Sequence, residues 1–211
     1  MKQLSLVLVI VLLLALSASS VMAADKNIQV GLDYVASGTI DSDLSGDTID
    51  CTGYRLNGEY LADKFKVGVN LGRLELESDR HETFAQLSGG YKIVNNIFAT
   101  LTYYKQTWWG NSTTAYLIGI DALFPVNEKF SIAGYYGISL LDSSLKGSDF
   151  VTYIDPQCTV TLSSLQLMYQ INDSMNVNLK YRVDNSHFTA TGTPAVDNTY
   201  TWITLGVGYN F

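Results

Sequence analysis

The alternation of apolar and polar residues constrains this chain more than any other feature of its sequence. It is clearest at the C-terminus, where every second residue from Ile203 to Phe211 is apolar and the residues between are polar or glycine. A period of two is that of a β-strand with one apolar face. The same pattern recurs along the chain and predicts ten strands, at residues 27–38, 52–62, 65–76, 83–94, 97–108, 113–125, 128–141, 159–171, 174–186 and 198–211.

The connections between these strands alternate in length. Short turns at 62–64, 94–96, 125–128 and 172–174 alternate with longer polar loops at 39–51, 77–82, 109–112, 142–158 and 187–197. The alternation slips once, near Gly72 and Arg73, because the apolar residues after Leu71 are Leu74 and Leu76. A β-bulge at the glycine is one explanation. A strand that leaves a membrane at this point is the other.

The first 23 residues have the pattern of a secretory signal peptide. Lys2 precedes an apolar run from Leu4 to Leu16, and small residues lead up to Ala23. The apolar run is too short for a membrane helix, which needs about 20 residues. Cleavage after Ala23 leaves 211 − 23 = 188 residues, which we interpret as one barrel domain at 24–211.

The composition excludes two broad classes of protein. The chain is 47% hydrophobic and only 16% charged, which argues against disorder. Its net charge of −7 argues against a nucleic acid as partner, because the chain would repel phosphates.

Strand length, loop length and aromatic placement favour a membrane barrel over a soluble one. The predicted strands of 11 to 14 residues are long enough for the ~9–11 that cross a bilayer with tilt, and short turns opposite long loops are typical of outer-membrane barrels. Aromatic residues gather at both strand ends, as in the girdles of such barrels. Near the tight turns and the C-terminus these are Tyr60, Phe65, Tyr91, Phe98, Phe124, Phe130, Tyr169, Tyr209 and Phe211; toward the loops they are Tyr34, Tyr54, Tyr103, Trp108, Trp109 and Tyr116.

The fold class predicted from these patterns is all-β. We expect an antiparallel up-and-down transmembrane β-barrel of about ten strands, with eight strands as the alternative. Closure would pair every backbone group, which the bilayer interior requires.

The last eight residues resemble the C-terminal insertion signal of bacterial outer-membrane barrels. Thr204, Gly206, Tyr209 and Phe211 fill the polar, glycine and two hydrophobic positions of that signal. The chain thus resembles the family of small outer-membrane β-barrel proteins, most of which have eight strands. The resemblance implies export to the outer membrane of a diderm bacterium, and insertion by the barrel-assembly machinery with Phe211 as part of the tag.

The lumen is where the alternation places the charged residues of the strands. Ten strands lie close to the size at which side chains fill a barrel, so we expect the charges to pair across a largely filled polar lumen. They are Asp33, Arg55, Glu59, Lys66, Lys92, Asp121, Lys180, Arg182 and Asp184.

The loops hold a weak metal-site candidate and the two histidines. Asp41, Asp43, Ser45 and Asp47 resemble the first half of a calcium loop, but Thr52 stands where the closing acid belongs. We therefore expect a solvated acidic loop and no metal site. His81 and His187 fall in predicted outer loops and match no protease motif.

The two cysteines, Cys51 and Cys158, lie on the loop side in an exported chain. Such a pair can form a disulfide that ties loop one to loop four. The alternative is two separate small apolar residues, because strands two and eight are not neighbours in a ten-strand order.

The function predicted from the sequence is that of a non-enzymatic integral outer-membrane barrel, structural or with at most a narrow path for small solutes or ions. The alternatives are a surface-binding or adhesion barrel that acts through its acidic loops and, less favoured, an outer-membrane lipid hydrolase or protease. We expect a monomer surrounded by outer-membrane lipid and lipopolysaccharide, with no cofactor.

Overall fold

The structure, a computed structural model, is built almost wholly of β-strands. It describes residues 28–43, 46–77, 80–108, 111–140, 144–146, 154–192 and 194–211, so the predicted signal peptide lies outside the described residues. The strands are β1 Ile28–Ser42, β2 Asp47–Leu61, β3 Phe65–Leu76, β4 Arg80–Val94, β5 Ile97–Trp108, β6 Asn111–Pro125, β7 Phe130–Ser139, β8 Ser144–Lys146, β9 Ile154–Gln170, β10 Met175–Thr191 and β11 Val196–Asn210.

These strands form one closed antiparallel barrel. Each long strand pairs with its neighbours along the chain, β5 pairs with β6, and β1 pairs with β11 to close the ring. The three-residue strand β8 pairs with β6 beyond the end of β7 and is not an additional strand of the ring. The prediction of a ten-stranded antiparallel barrel is therefore confirmed, and the eight-stranded alternative is wrong. Within the described segments, no helix is long and apolar enough to cross a bilayer.

A belt of exposed apolar side chains surrounds the barrel at its tight-turn end. On β6 this belt runs from Tyr116 to Phe124, and Leu32, Leu101 and Leu205 continue it on other strands with more than half of each side chain exposed. Eight residue steps of ~3.3 Å are about 26 Å along the strand, which with tilt covers most of the ~25 Å apolar band of outer-membrane barrels. Such a surface is stable against hydrocarbon and not against water.

Aromatic rings pair across neighbouring strands at both edges of this belt. The centroids of Phe65 and Tyr91 lie 5.3 Å apart at the tight-turn edge, and those of Tyr34 and Tyr54 lie 5.3 Å apart at the opposite edge. Phe98 was expected in the girdle, and this is wrong. Its side chain is buried inside the barrel, because the first residue of β5, Ile97, takes the outward position. The side chains of Trp108 and Trp109 lie outside the described residues.

Above the belt the two faces of each strand exchange their polarity: the outward face becomes polar and the inward face becomes apolar. On β3 the outward residues change from Val69 and Leu71 to the charged pair Arg73 and Glu75, while the inward residues become the buried Leu74 and Leu76. The register of β3 with both neighbours is unbroken through this region. The β-bulge near Gly72, one of the two explanations of the slip, is therefore wrong, and the exchange of faces agrees with the other, a strand that leaves the membrane.

Gly72 makes space for an aromatic ring in the lumen. It lies opposite Phe84 in the β3–β4 register, and a Cβ added to Gly72 would collide with the Phe84 ring. The glycine therefore provides the space in which this ring lies across the lumen. Register shifts occur elsewhere, between Val35 and Ser37 in β1 among others.

The strands continue beyond the predicted ends on the loop side. β10 extends to Thr191 and β4 begins at Arg80, so His187 and His81 lie on strands and not in loops. Sequence patterning missed these ends because their outward residues are polar, as expected where a wall faces water. The barrel therefore rises above its apolar belt.

We predict that closure makes the folded barrel resistant to unfolding by sodium dodecyl sulfate at room temperature, since no backbone edge is left unpaired. Unheated protein from membranes should migrate differently on a gel from protein heated to boiling. Identical migration of the two samples would contradict a closed barrel.

Candidate functional site

The centre of the lumen is crossed by a layer of aromatic rings around one arginine. The Arg182 guanidinium carbon lies 5.0 Å from the Trp202 ring centroid, 5.5 Å from that of Phe84 and 6.0 Å from that of Tyr104. The rings of Phe84 and Trp202 stack with centroids 5.1 Å apart. The Arg55 guanidinium carbon is 5.6 Å from the Phe84 ring centroid. These five residues, which we call the arginine–aromatic layer, lie together in the interior of the barrel.

Arg182 is held in this layer by a bidentate ion pair. Its Nε and Nη2 donate to the two carboxylate oxygens of Asp184 at 2.7 and 2.8 Å, and its Nη1 donates to Gln86 Oε1 at 3.1 Å. Both charged side chains are buried. A buried pair of this kind is stable only when the remaining hydrogen bonds are made, and Gln86 supplies one of them.

A hydrogen-bonded chain runs from this pair toward the loop end. Tyr104 Oη donates to Gln106 Oε1 at 3.0 Å, and Gln106 Nε2 donates to Glu82 Oε2 at 2.9 Å. Glu82 is buried, so the chain carries a carboxylate into an otherwise apolar region. Glu82 was not among the residues expected in the lumen, because the predicted strand began after it.

An apolar core occupies the lumen from the arginine–aromatic layer toward the loop end, and it includes the three rings of that layer. Side chains from most of the strands contribute to it, and each is at most 6% exposed. The core comprises Val35, Ile40, Cys51, Leu74, Leu76, Phe84, Tyr104, Ala115, Leu117, Cys158, Val160, Leu162, Tyr200 and Trp202. It is the interior of a barrel that stands in water on its outer side.

The lumen below the layer contains a polar cavity of about 150 Å³. It reaches the tight-turn end, where the Lys66 ammonium bridges Glu59 and Asp121, with its Nζ 2.9 Å from a carboxylate oxygen of each. Arg55, Lys180 and Arg182 line its inner part.

The structure brings eight of the nine expected lumen charges together in the interior. Arg182 pairs with Asp184, Lys66 pairs with Glu59 and Asp121, and Asp33 lies beside Arg55 in the β1–β2 register. Lys92 is apart from them: its Nζ lies 3.7 Å from Asp63 in the turn after β2 and 5.9 Å from the Phe98 ring centroid, at the tight-turn rim.

The possible disulfide is absent from the structure. Cys51 and Cys158 are both buried thiols in the apolar core, on β2 and β9. Three strands, β1, β11 and β10, stand between these two walls of the barrel. The possible bond would have required long loops to carry both cysteines over the mouth, and instead both lie on strands, in agreement with the alternative of two separate small apolar residues.

The remaining candidates lie at the outer rim. Ser45 and the side chain of Asp47 lie outside the described residues, while Asp41 and Asp43 are exposed and Asp41 accepts a hydrogen bond from Thr48. No group of three or more His, Cys, Asp or Glu in the described ranges could hold a metal ion.

The two histidines belong to different walls. Exposed His187 contacts Asp197, with Nδ1 2.7 Å from Oδ1. His81 is exposed on β4, five strands from β10 in either direction around the ten-stranded ring. They therefore share no site.

The C-terminal residues form the seam of the barrel. The Phe211 N–H donates to the Ile28 carbonyl at 2.8 Å, and the rings of Tyr209 and Phe211 meet edge to face with centroids 4.8 Å apart. Gly206 faces the lumen, where a Cβ would collide with Asp33. Buried Thr204 lies opposite Val35 on β1.

Comparison with known proteins gives the fold and no closer relationship. No protein-family model and no curated protein matches the chain. Among solved structures, outer membrane protease OmpT from Escherichia coli is similar over 88% of this chain and 97% of its own, with a TM-score of 0.54 and 10% identity. The translocator domain of autotransporter NalP from Neisseria meningitidis is similar over 92% of each chain, with a TM-score of 0.48 and 14% identity. The chain has the outer-membrane β-barrel fold.

We predict that Arg182→Ala strongly destabilises the barrel, because it leaves the Asp184 carboxylate buried without its partner. Removing one member of a buried ion pair costs about 3–5 kcal/mol. The free energy of unfolding, measured by urea titration of protein refolded in vesicles, should fall by about that amount. Lys92→Ala at the rim is the control and should cost less than about 1 kcal/mol. Equal stability of the two variants would contradict the pairing described.

Proposed function

We propose that this protein is a non-enzymatic, integral barrel of the outer membrane whose lumen is closed to solutes. The observation that carries the proposal is the arginine–aromatic layer with the apolar core above it. A pore needs a continuous water column, and in the described part of the lumen Trp202, Phe84 and Arg182 occupy the centre.

The size of the barrel supports the same conclusion. Eight strands leave an interior just filled by side chains, whereas sixteen or more leave an aqueous channel. With ten strands, one layer of two stacked rings and two guanidinium groups suffices to span the lumen. The membrane protein therefore contributes a rigid wall that reaches from the apolar belt into the water above it.

We predict that refolded protein in a planar bilayer shows no large, stable single-channel steps. The double variant Phe84→Ala with Trp202→Ala removes two rings that belong to both the layer and the apolar core, and it should raise the conductance by opening the centre of the lumen. Tyr136→Ala, on the outward face of β7, is the control and should behave as the unmodified protein does. Porin-sized steps from the unmodified protein would overturn the proposal.

We further propose that Phe211 is read during insertion by the barrel-assembly machinery. Its place at the seam, beside Tyr209 and bonded to the first strand, supports a role when the barrel closes. Phe211→Ser should lower the amount of heat-modifiable barrel in cell membranes several-fold, yet leave refolding of purified protein in detergent unchanged. Phe130→Ser is the control, an aromatic residue at the same end of the barrel. Equal membrane levels of both variants would contradict the tag.

A surface-binding role is the second candidate, favoured by the height of the barrel above its belt. β9 and β10 have 17 residues each, whereas ~9–11 cross a bilayer. Cells that produce the protein should then adhere to a host surface more than cells that produce a version with residues 142–153 replaced by a short glycine–serine turn. Equal adherence, with heat modifiability preserved in both, would exclude this role for that loop.

A further inference from the structure

Glu82 is a buried carboxyl group within the apolar core, toward the loop end of the lumen. The residue is 3% exposed, and Gln106 Nε2 donates to its Oε2 at 2.9 Å. In register it lies opposite Leu74 of β3, whose neighbours Arg73 and Glu75 are exposed on the outer wall. Glu82 therefore stands above the apolar belt, in the part of the barrel that has water on its outer side.

No ion pair joins Glu82 to a cation in the described part of the lumen. The titratable groups that share the apolar core with it are Cys51 on β2, Tyr104 on β5, Cys158 on β9 and Tyr200 on β11. These four groups are neutral or negative, and Arg182 on β10 is paired with Asp184. On β4 itself, Arg80 is exposed at the rim, two residues away. Burial therefore raises the pKa of the Glu82 carboxyl from 4.5 to about 7, against the smaller effect of the Gln106 bond.

A hydrogen-bonded chain joins Glu82 to the arginine–aromatic layer. Gln106 donates to Glu82 and accepts a hydrogen bond from Tyr104 Oη at 3.0 Å, and Tyr104 Oη lies 3.5 Å from Asp184 Oδ2. Asp184 in turn accepts two hydrogen bonds from Arg182 of the layer. A change of charge at Glu82 therefore reaches the layer through two side chains, Gln106 and Tyr104.

The protonation state of Glu82 decides whether this core can be dry. A neutral carboxyl with one amide partner fits an apolar interior, whereas a carboxylate in the same place is far more costly unless further donors reach it. Gln106 supplies one donor. Water is the source of further donors, and it is present at the loop end, toward which Glu82 lies.

We propose that Glu82 is a proton-controlled switch for the hydration of the apolar core. With Glu82 protonated, the core is dry and the lumen is closed. With Glu82 ionised, water enters the core from the loop end and loosens the contact of Gln106 and Tyr104 with the arginine–aromatic layer. The switch rests on the closed lumen proposed above and adds its regulation by pH.

The first test follows water at the layer by the fluorescence of Trp202, made the only tryptophan by Trp108→Phe and Trp109→Phe. In phosphatidylcholine vesicles, quenching of Trp202 by acrylamide should rise about two-fold or more between about pH 5 and about pH 9, with its midpoint near neutral pH, where a carboxyl with a raised pKa titrates. Glu82→Gln in the same background should show the low quenching at every pH. Glu75→Gln, an exposed carboxylate on β3, is the control and should keep the transition. A transition that persists in Glu82→Gln would overturn the switch.

A second variant decides the question if Glu82→Gln does not fold. Gln106→Leu removes the donor that favours the carboxylate, so the midpoint of Trp202 quenching should move to higher pH. An unchanged or lower midpoint would overturn the switch.

The second test follows stability, because Glu82 binds its proton more tightly in the folded barrel than in the unfolded chain. Its contribution is then complete at acidic pH and is lost as the pH rises from about 4.5 to about 7. In urea titrations, the folded-to-unfolded ratio of the unmodified protein should fall relative to that of Glu82→Gln, by up to about ten-fold for each pH unit in this interval. A constant ratio would overturn the switch alone, whereas porin-sized steps in a planar bilayer at about pH 5, where the carboxyl is protonated, would overturn the closed lumen as well.

Discussion

Every residue of these strands points either into the barrel or away from it, while the medium outside changes from hydrocarbon to water partway along each strand. The closed ring leaves no backbone edge unpaired, so adaptation to the two media falls to the side chains. Below the change of medium, the outward face is apolar and the lumen is polar, as with Leu71 and Asn70 on β3. Above it, Arg73 and Glu75 face water and Leu74 is buried inside. At one end the molecule has the apolar outer face and polar lumen of a membrane barrel. At the other end it has the polar outer face and apolar interior of a soluble barrel.

The arginine–aromatic layer stands where these two interiors meet. Contact between a polar lumen and an apolar core costs free energy, because a charged group at their boundary loses water on one side. Arg182 lies at this boundary, where its guanidinium carbon is close to the Trp202 and Phe84 rings and its Nε donates to Asp184. Gly72 takes part by leaving space for the Phe84 ring. The arginine–aromatic layer therefore belongs to the exchange of faces.

Alternation was sufficient to predict the ten strands and their order, because each pairs with its neighbour along the chain. It did not predict their outer ends, where Asp41 and His187 are polar and resemble loop residues. Phe98 was placed in the girdle because an aromatic residue beside a turn looks the same whichever way it points. The list of inward charged residues included the lumen arginines. It could not include Phe84, whose place is shown by the register, in which Gly72 lies opposite it. The alternation on β4 gives Phe84 an inward position. Together with a glycine on the neighbouring strand, this could have indicated a ring inside the lumen.

The most direct test of the exchange of faces is a depth measurement along β3. Single cysteines at positions 67, 69, 71, 73, 74 and 75, introduced one at a time into a Cys51→Ser, Cys158→Ser background, would carry an environment-sensitive fluorophore in bilayers of lipids with brominated acyl chains. We expect strong quenching at 67, 69 and 71, and weak quenching at 73, 74 and 75. Strong quenching that continues through 73 and 75 would show that hydrocarbon covers the upper wall, and would contradict the account.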